Sequence, residues 1–90
     1  MAKPPLEPED DRIPGLEKAF GEVLRKHRKA VKLTQEELAI ETGLDRTFIS
    51  LMERGMRRPS LTTIFILARR FGITASRLVA EIEESPSTVI

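Results

Sequence analysis

The chain contains 90 residues, of which 40% are hydrophobic and 32% are charged, and its formal net charge is +1. A chain of this length buries one modest core, so a second domain is not expected. Cysteine is absent, which excludes a disulfide framework and a thiolate metal site and suits a reducing compartment. No apolar run is long enough to span a bilayer and no signal-peptide pattern opens the chain, so we expect a cytoplasmic protein.

Charge is distributed unevenly along the chain. Residues 15–80 carry thirteen Lys and Arg side chains against seven Asp and Glu, whereas residues 1–14 and 81–90 are net acidic. A basic middle suits contact with nucleic-acid phosphates. An ordinary mixed-charge surface accounts for the same numbers equally well, so charge alone leaves both interpretations open.

Residues 1–14 combine four prolines with four acidic side chains and few apolar groups, which predicts a flexible N-terminal arm. From Leu16 apolar residues recur at helical spacing and predict a first helix that ends near Ala30. His27 lies beside this apolar stripe and has no second ligand at metal-binding spacing, so a packing role is favoured over a metal role. We therefore expect neither a metal nor a cofactor.

Two short helices joined by a sharp turn are predicted between Thr34 and Gly55. Thr34 and Glu37 have the spacing of a capping box, which starts the first of these helices, and Gly43 ends it. Asp45 is expected to cap the second, whose apolar residues share one side. This is the arrangement of a helix-turn-helix, in which the second helix enters the major groove of DNA.

The N-terminal turn of that second helix, predicted over residues 45–54, is expected to read base edges. Arg46 can donate two hydrogen bonds to a guanine, and Thr47 and Ser50 are the next candidates. A surface position of Arg46 beside Asp45, without a base contact, is the alternative. Three arginines after the helix are predicted to contact phosphates and to set affinity more than sequence choice: Arg54, Arg57 and Arg58.

Ser60 is expected to cap a fourth helix, and Gly72 to end it. Its predicted inward-facing residues are Leu61, Ile64, Leu67, Ala68 and Phe71. Phe65 and Ile66 fall outside that stripe. Single exposed apolar residues are ordinary, but two adjacent ones predict a contact with a second protomer.

Thr74 is expected to cap a fifth helix that runs to about Glu84 and is stopped by Pro86. Its apolar residues are predicted both to close the core and to extend the dimer interface: Leu78, Val79 and Ile82. Residues 85–90 are interpreted as a tail that is either disordered or a short part of the interface.

The chain resembles the Cro/repressor-type helix-turn-helix family, also called the XRE family. The resemblance rests on the run ISLMERG and on the spacing of Gln35, Leu38, Ala39, Gly43, Leu44, Ile49 and Met52. The upstream segment LRKHRKAVKLTQEELA and the downstream segment RRPSLTTIFILARRFGI are also similar to this family, and LDRTFIS followed by MERG is similar to restriction-modification controller proteins. The resemblance implies an all-α fold, a compact five-helix bundle of the phage-repressor DNA-binding type, over residues 15–84.

The same resemblance implies roles for individual residues. Arg28 would pair with Glu53 and tie the first helix to the recognition helix, and Gln35 would bind a phosphate and brace that helix. The family often has glycine where this chain has Lys32, and a lysine in a left-handed conformation costs about 1 to 2 kcal/mol. The implied function is transcriptional regulation, as a repressor or activator that binds a palindromic operator as a homodimer.

Two other interpretations remain. An acidic patch formed by Glu36, Glu37 and Glu41 either contacts RNA polymerase or simply suits a solvated helix N-terminus. The chain is alternatively an antitoxin-type or other protein-interaction module that binds DNA only with a toxin or another partner. An enzyme is not expected, because the chain has one histidine and neither a nucleophile motif nor a glycine-rich phosphate loop.

Overall fold

The computed structural model of this protein describes residues 12–88, which form five helices without a strand, so the all-α prediction is confirmed. The helices are α1 (Leu16–Ala30), α2 (Gln35–Thr42), α3 (Arg46–Glu53), α4 (Leu61–Phe71) and α5 (Ala75–Glu84). Most of the predicted N-terminal arm, residues 1–11, lies outside the described residues, as do residues 89 and 90. None of the five helices has the length and apolar character needed to cross a membrane.

Side-chain caps set where four of the helices begin. The capping box of α2 is complete, because Thr34 Oγ1 accepts from the Glu37 amide at 3.0 Å and Glu37 Oε1 accepts from the Thr34 amide at 2.8 Å. The bond from the Thr34 backbone lowers the pKa of Glu37. A hydrogen bond from a backbone amide to a side-chain oxygen also starts the other three helices, at Asp45 for α3, Ser60 for α4 and Thr74 for α5.

The helices surround one core. It consists of Ala19, Phe20, Val23, Leu24, Leu38, Ile49, Met52, Ile64, Leu67, Ala68, Leu78 and Ile82. Helix α1 packs against α3 and α5, α2 packs against α3 and α4, and α4 packs against α5. Helix α3 is therefore held from two sides, which leaves its remaining side for contacts outside the chain.

Three predictions about apolar side chains need correction. Leu61, expected to point inward, is 72% exposed, because it is the first residue of α4 and precedes the turns that pack on the core. Thr63 is buried in its place. Leu78 and Ile82, assigned to both the core and a dimer interface, are 0% and 6% exposed, so they close the core and leave almost no surface for a partner.

Residues 85–88, predicted as a tail, fold back against the start of α1. Ser87 Oγ donates to Glu22 Oε1 at 2.7 Å, and Thr88 Oγ1 donates to the Ile82 carbonyl at 2.7 Å. Gly15 lies directly under this segment, where an added Cβ would come within 1.8 Å of the Ser87 carbonyl oxygen. The packed domain therefore extends to residue 88.

Candidate nucleic-acid interface

Helix α3 presents two different sides. Ile49 and Met52 are fully buried, whereas Arg46 and Thr47 in the first turn are exposed and Ser50, one turn later, is half-buried. The first turn itself contains no acidic residue, and the Asp45 carboxylate caps it by accepting from the Phe48 amide at 3.1 Å. The amide groups at such a helix N-terminus favour a nearby anion or acceptor-rich surface.

The C-terminal end of α3 is anchored by an ion pair. Arg28 on α1 donates from Nε to Glu53 Oε2 at 2.6 Å and from Nη2 to Glu53 Oε1 at 3.0 Å. The side chains are 11% and 5% exposed, so the pair is almost completely removed from water. The hydrogen bond to Glu53 raises the pKa of Arg28, against the effect of burial. The structure thus brings together the two residues that the family resemblance paired.

Two further groups complete this network. Arg28 Nη1 donates to the Leu33 carbonyl at 2.8 Å, and Gln35 Nε2 donates to Glu53 Oε1 at 3.1 Å. The network therefore joins α1, the turn before α2, the first residue of α2 and the last residue of α3. Gln35 has the bracing contact implied by the resemblance, while its predicted phosphate contact stays a prediction.

Gly21 permits the close crossing of α1 and α3, a role that the sequence analysis did not predict. A Cβ added to Gly21 would lie 2.4 Å from the Met52 carbonyl oxygen and 2.7 Å from that of Glu53. Only a residue without a side chain allows the backbones to approach this closely. The available signal was glycine in the middle of a helix, where it costs about 1 kcal/mol relative to alanine and so usually has a packing reason.

The cationic side chains predicted to contact phosphates follow α3. Arg54, Arg57 and Arg58 are exposed on the segment that leads from α3 to α4. Arg57 Nη1 donates to the neighbouring Met56 carbonyl at 3.1 Å. The three arginines follow the C-terminal end of α3, the end opposite Arg46, and their phosphate contacts stay a prediction.

Two of the three acidic residues of α2 have structural partners. Glu37 completes the capping box, and Glu41 accepts a hydrogen bond from Arg70 Nε on α4. Both contacts favour the interpretation that these carboxylates stabilise the helix and its packing. The idea of a polymerase contact through them stays a prediction.

The residues predicted to form a dimer interface differ in how exposed they are. Phe65 is 52% exposed and Val79 is 48% exposed, and they lie on the two helices α4 and α5, which pack against each other. Ile66 is half-buried. Val79 also lines an open apolar groove of about 230 Å³ together with Leu16, Phe20, Ile64 and Ile82.

His27 has the structural role predicted for it. Its Nε2 lies 2.9 Å from Glu81 Oε1, and its ring stacks on Phe71 with 5.3 Å between the ring centroids. Glu81 also accepts from Lys26 Nζ at 3.0 Å and from Arg77 Nε at 3.1 Å. Burial tends to raise the pKa of Glu81, but the hydrogen bonds from Lys26 and His27 outweigh it and hold that pKa at about 2.

This cluster predicts a loss of stability at low pH. Because the folded-state pKa of Glu81, about 2, lies below its ordinary value of 4.5, its charged form stabilises the fold above about pH 4.5, and that contribution is lost as pH falls through about 2. The expected size is on the order of 1 to 2 kcal/mol, because Lys26 and Arg77 are exposed and solvent screens their attraction. Urea unfolding of the wild type and of Glu81→Gln measures it. The free-energy difference between the two proteins should narrow steadily below pH 4.5, and a constant difference would contradict the assignment.

Comparison with known proteins identifies relatives of the same architecture. A family model described as Helix-turn-helix matches residues 24–78. The control protein C.MunI of Mycoplasma sp is 41% identical over 66 residues, which cover 72% of this chain and 89% of that protein. The crystal structure of the restriction-modification controller protein C.AhdI from Aeromonas hydrophila is similar with a TM-score of 0.65 and 42% identity, over 69% of this chain and 94% of that one.

A third relative was solved with DNA. The controller protein C.Esp1396I, as a tetramer in complex with its natural 35 base-pair operator, is similar with a TM-score of 0.64 and 29% identity, over 77% of this chain and 96% of that one. These matches include the capping box, the turn and α3, which carry the geometry described above.

Proposed function

The chain belongs to the helix-turn-helix family of the Cro/repressor (XRE) type and is a transcriptional regulator of that type, and we propose that it binds a specific palindromic operator as a homodimer. The observation that carries this proposal is the exposed first turn of α3, on a helix whose opposite end is held by Arg28 and Glu53. A side chain that reads a base edge must be held in place, because hydrogen bonds to bases tolerate little error in position.

In the proposed complex α3 lies in the major groove. Arg46 donates two hydrogen bonds to a guanine, Thr47 and Ser50 contact neighbouring bases, and Arg54, Arg57 and Arg58 with Gln35 contact phosphates. The operator complex of C.Esp1396I supports this arrangement through the similarity of the fold. The relatives are named as regulators and not as enzymes, which favours a role without catalysis.

Selection of binding sites from random duplex DNA tests the proposal. Purified protein at a stated salt concentration should enrich a palindrome whose half-sites lie about 34 to 36 Å apart, one helical turn of DNA. The absence of any enriched sequence would instead favour the module that binds DNA only with a protein partner.

Replacing Arg46 by alanine should cost about 1 to 3 kcal/mol of operator binding and relax the preference at one base pair in each half-site. Arg46→Lys is the matched variant, because it keeps the charge but loses the planar fork with two parallel donors. Binding is measured on the selected operator and on each single-base variant of it. Equal weakening on every sequence would assign this arginine to a phosphate.

The homodimer is proposed to form through the exposed apolar side chains of α4 and α5. Phe65 on α4 and Val79 on α5 are large apolar side chains left about half exposed, and Val79 also lines the apolar groove described above. A dimer is also required for specificity, because one recognition helix contacts only a few base pairs. The tetrameric assembly of C.Esp1396I on its operator shows that a relative functions in multiple copies.

Replacing Phe65 by glutamate should raise the dimer dissociation constant at least about tenfold, because two charges would be buried at the interface without partners. Ile40→Glu is the control, since Ile40 is also an exposed apolar residue, 76% accessible, but lies on α2. Sedimentation velocity over a concentration series distinguishes the two variants. An equal effect of both changes, or of neither, would exclude this surface as the dimer interface.

A further inference from the structure

Lys32 adopts a backbone conformation that suits glycine. Among residues 12–88 it is the one residue other than glycine with a left-handed backbone, at φ 61°. The conformation is imposed by the end of α1, where the Lys32 amide donates to the Lys29 carbonyl at 3.0 Å and the Leu33 amide donates to the Arg28 carbonyl at 3.1 Å. This pair of bonds is the Schellman motif, which usually has glycine at this position.

Lys32 directly follows the C-terminal end of α1, where a positive charge is favourable, and this offsets part of the cost of a left-handed side chain. Lys32 is exposed, and its side chain makes no hydrogen bond or ion pair with any residue between 12 and 88. A residue held in a disfavoured conformation with an unpartnered charge motivates a functional explanation.

The turn that carries Lys32 is tied by hydrogen bonds to α1 and lies directly before α2 of the proposed DNA-binding unit. The next residue, Leu33, gives its carbonyl to Arg28 Nη1 at 2.8 Å, and Gln35 is tied to Glu53 at the end of α3. Consecutive Cα atoms are 3.8 Å apart, so the Cα of Lys32 lies within about 8 Å of that of Thr34, the cap of α2. The backbone of Lys32 is therefore close to the first residues of α2, and its side chain is exposed.

We propose that Lys32 is a phosphate-contacting residue that binds the operator backbone beside Gln35 and adds one ionic contact per protomer. The inference rests on the proposed function, since it takes duplex DNA as the ligand. Lysine acts here as a point charge, so the contact raises affinity for any duplex and contributes little to sequence choice.

The test compares the salt dependence of operator binding in three variants and the wild type. Lys32→Asn removes the charge while keeping a residue that tolerates the left-handed conformation. Lys32→Arg keeps the charge, and Arg77→Gln removes one exposed cation from α5, which packs on α1 and α4. For Lys32→Asn, the slope of log binding constant against log salt should become shallower by about 0.9 per protomer, equally on operator and unrelated duplex. Lys32→Arg and Arg77→Gln should keep the wild-type slope.

Thermal unfolding separates this role from a purely structural one. Lys32→Asn should unfold at the wild-type temperature or above it, because the strain at the turn is relieved while the loss of binding remains. If the wild-type chain binds an operator and Lys32→Asn has the same salt slope as the wild type, this inference is overturned and the proposed function stays in place. A wild-type chain that binds no duplex would overturn both.

Discussion

Replacing Arg28 by alanine is expected to reduce the free energy of unfolding by about 3 to 5 kcal/mol, the range found when one member of a buried ion pair is removed. The Glu53 carboxylate, 5% exposed, would be left with Gln35 as its remaining donor in the network. The Leu33 carbonyl would lose its donor as well. Because a domain of this size is stable by only about 5 to 15 kcal/mol, the loss is a large fraction of the total. Urea unfolding followed by circular dichroism measures it.

Two companion variants identify the cause of that loss. Arg28→Lys keeps the positive charge but cannot donate two parallel hydrogen bonds to the carboxylate, so it should recover only part of the stability. The double variant Arg28→Met with Glu53→Leu removes both charges and should be much closer to the wild type than Arg28→Ala is, because no unpaired charge stays buried. If the double variant is as unstable as Arg28→Ala, the lost hydrogen bonds at the Leu33 carbonyl and the Gln35 amide, and not an unpaired charge, explain the effect.

Replacing Gly21 by alanine should destabilise the fold by about 2 to 3 kcal/mol, although alanine is the better helix former by about 1 kcal/mol. The added methyl group would lie 2.4 Å from the Met52 carbonyl oxygen, and backbone atoms of α3 cannot move aside as a flexible side chain can. Helix α3 must therefore shift away from α1. Met52 and Glu53 form the C-terminal end of the recognition helix. The folded fraction of the Gly21→Ala protein should therefore also bind operator DNA less tightly.

Arg25→Ala is the control for Gly21→Ala. Arg25 lies one turn further along α1 and is exposed, so alanine at this position adds helix propensity without a clash. Its free energy of unfolding should stay within about 0.5 kcal/mol of the wild type. A Gly21→Ala protein as stable as Arg25→Ala would show that α1 and α3 do not need their close crossing.

Much of the secondary structure could be predicted from local patterns. Thr34, Asp45, Ser60 and Thr74 begin four helices because a side-chain oxygen satisfies an amide that has no partner inside the helix. These bonds span three residues, so the sequence itself contains both partners. Local patterns gave the wrong result for Leu61. Its spacing fits the apolar stripe, but its place in the first turn leaves it in solvent.

The candidate site was predicted less completely. The outward position of Arg46 and Thr47 follows from their spacing relative to Ile49 and Met52, which are buried. The Glu81 cluster was missed, because Lys26 and His27 reach that carboxylate only after α5 has packed beside α1. The contact of Arg77 with Glu81 is local, at i,i+4 spacing within α5. The pairing of Arg28 with Glu53 came from family resemblance and not from any local pattern.

The sequence by itself determined the class of fold, the number and limits of the helices, and the helix that presents Arg46, because caps, glycine turns and apolar periodicity act over a few residues. Only the tertiary structure decided which contacts hold that helix at its angle. Gly21 lies 31 residues before Met52, and Arg28 lies 25 residues before Glu53. Such contacts depend on where whole helices cross, and the crossing is set by the sum of many packing interactions in the core.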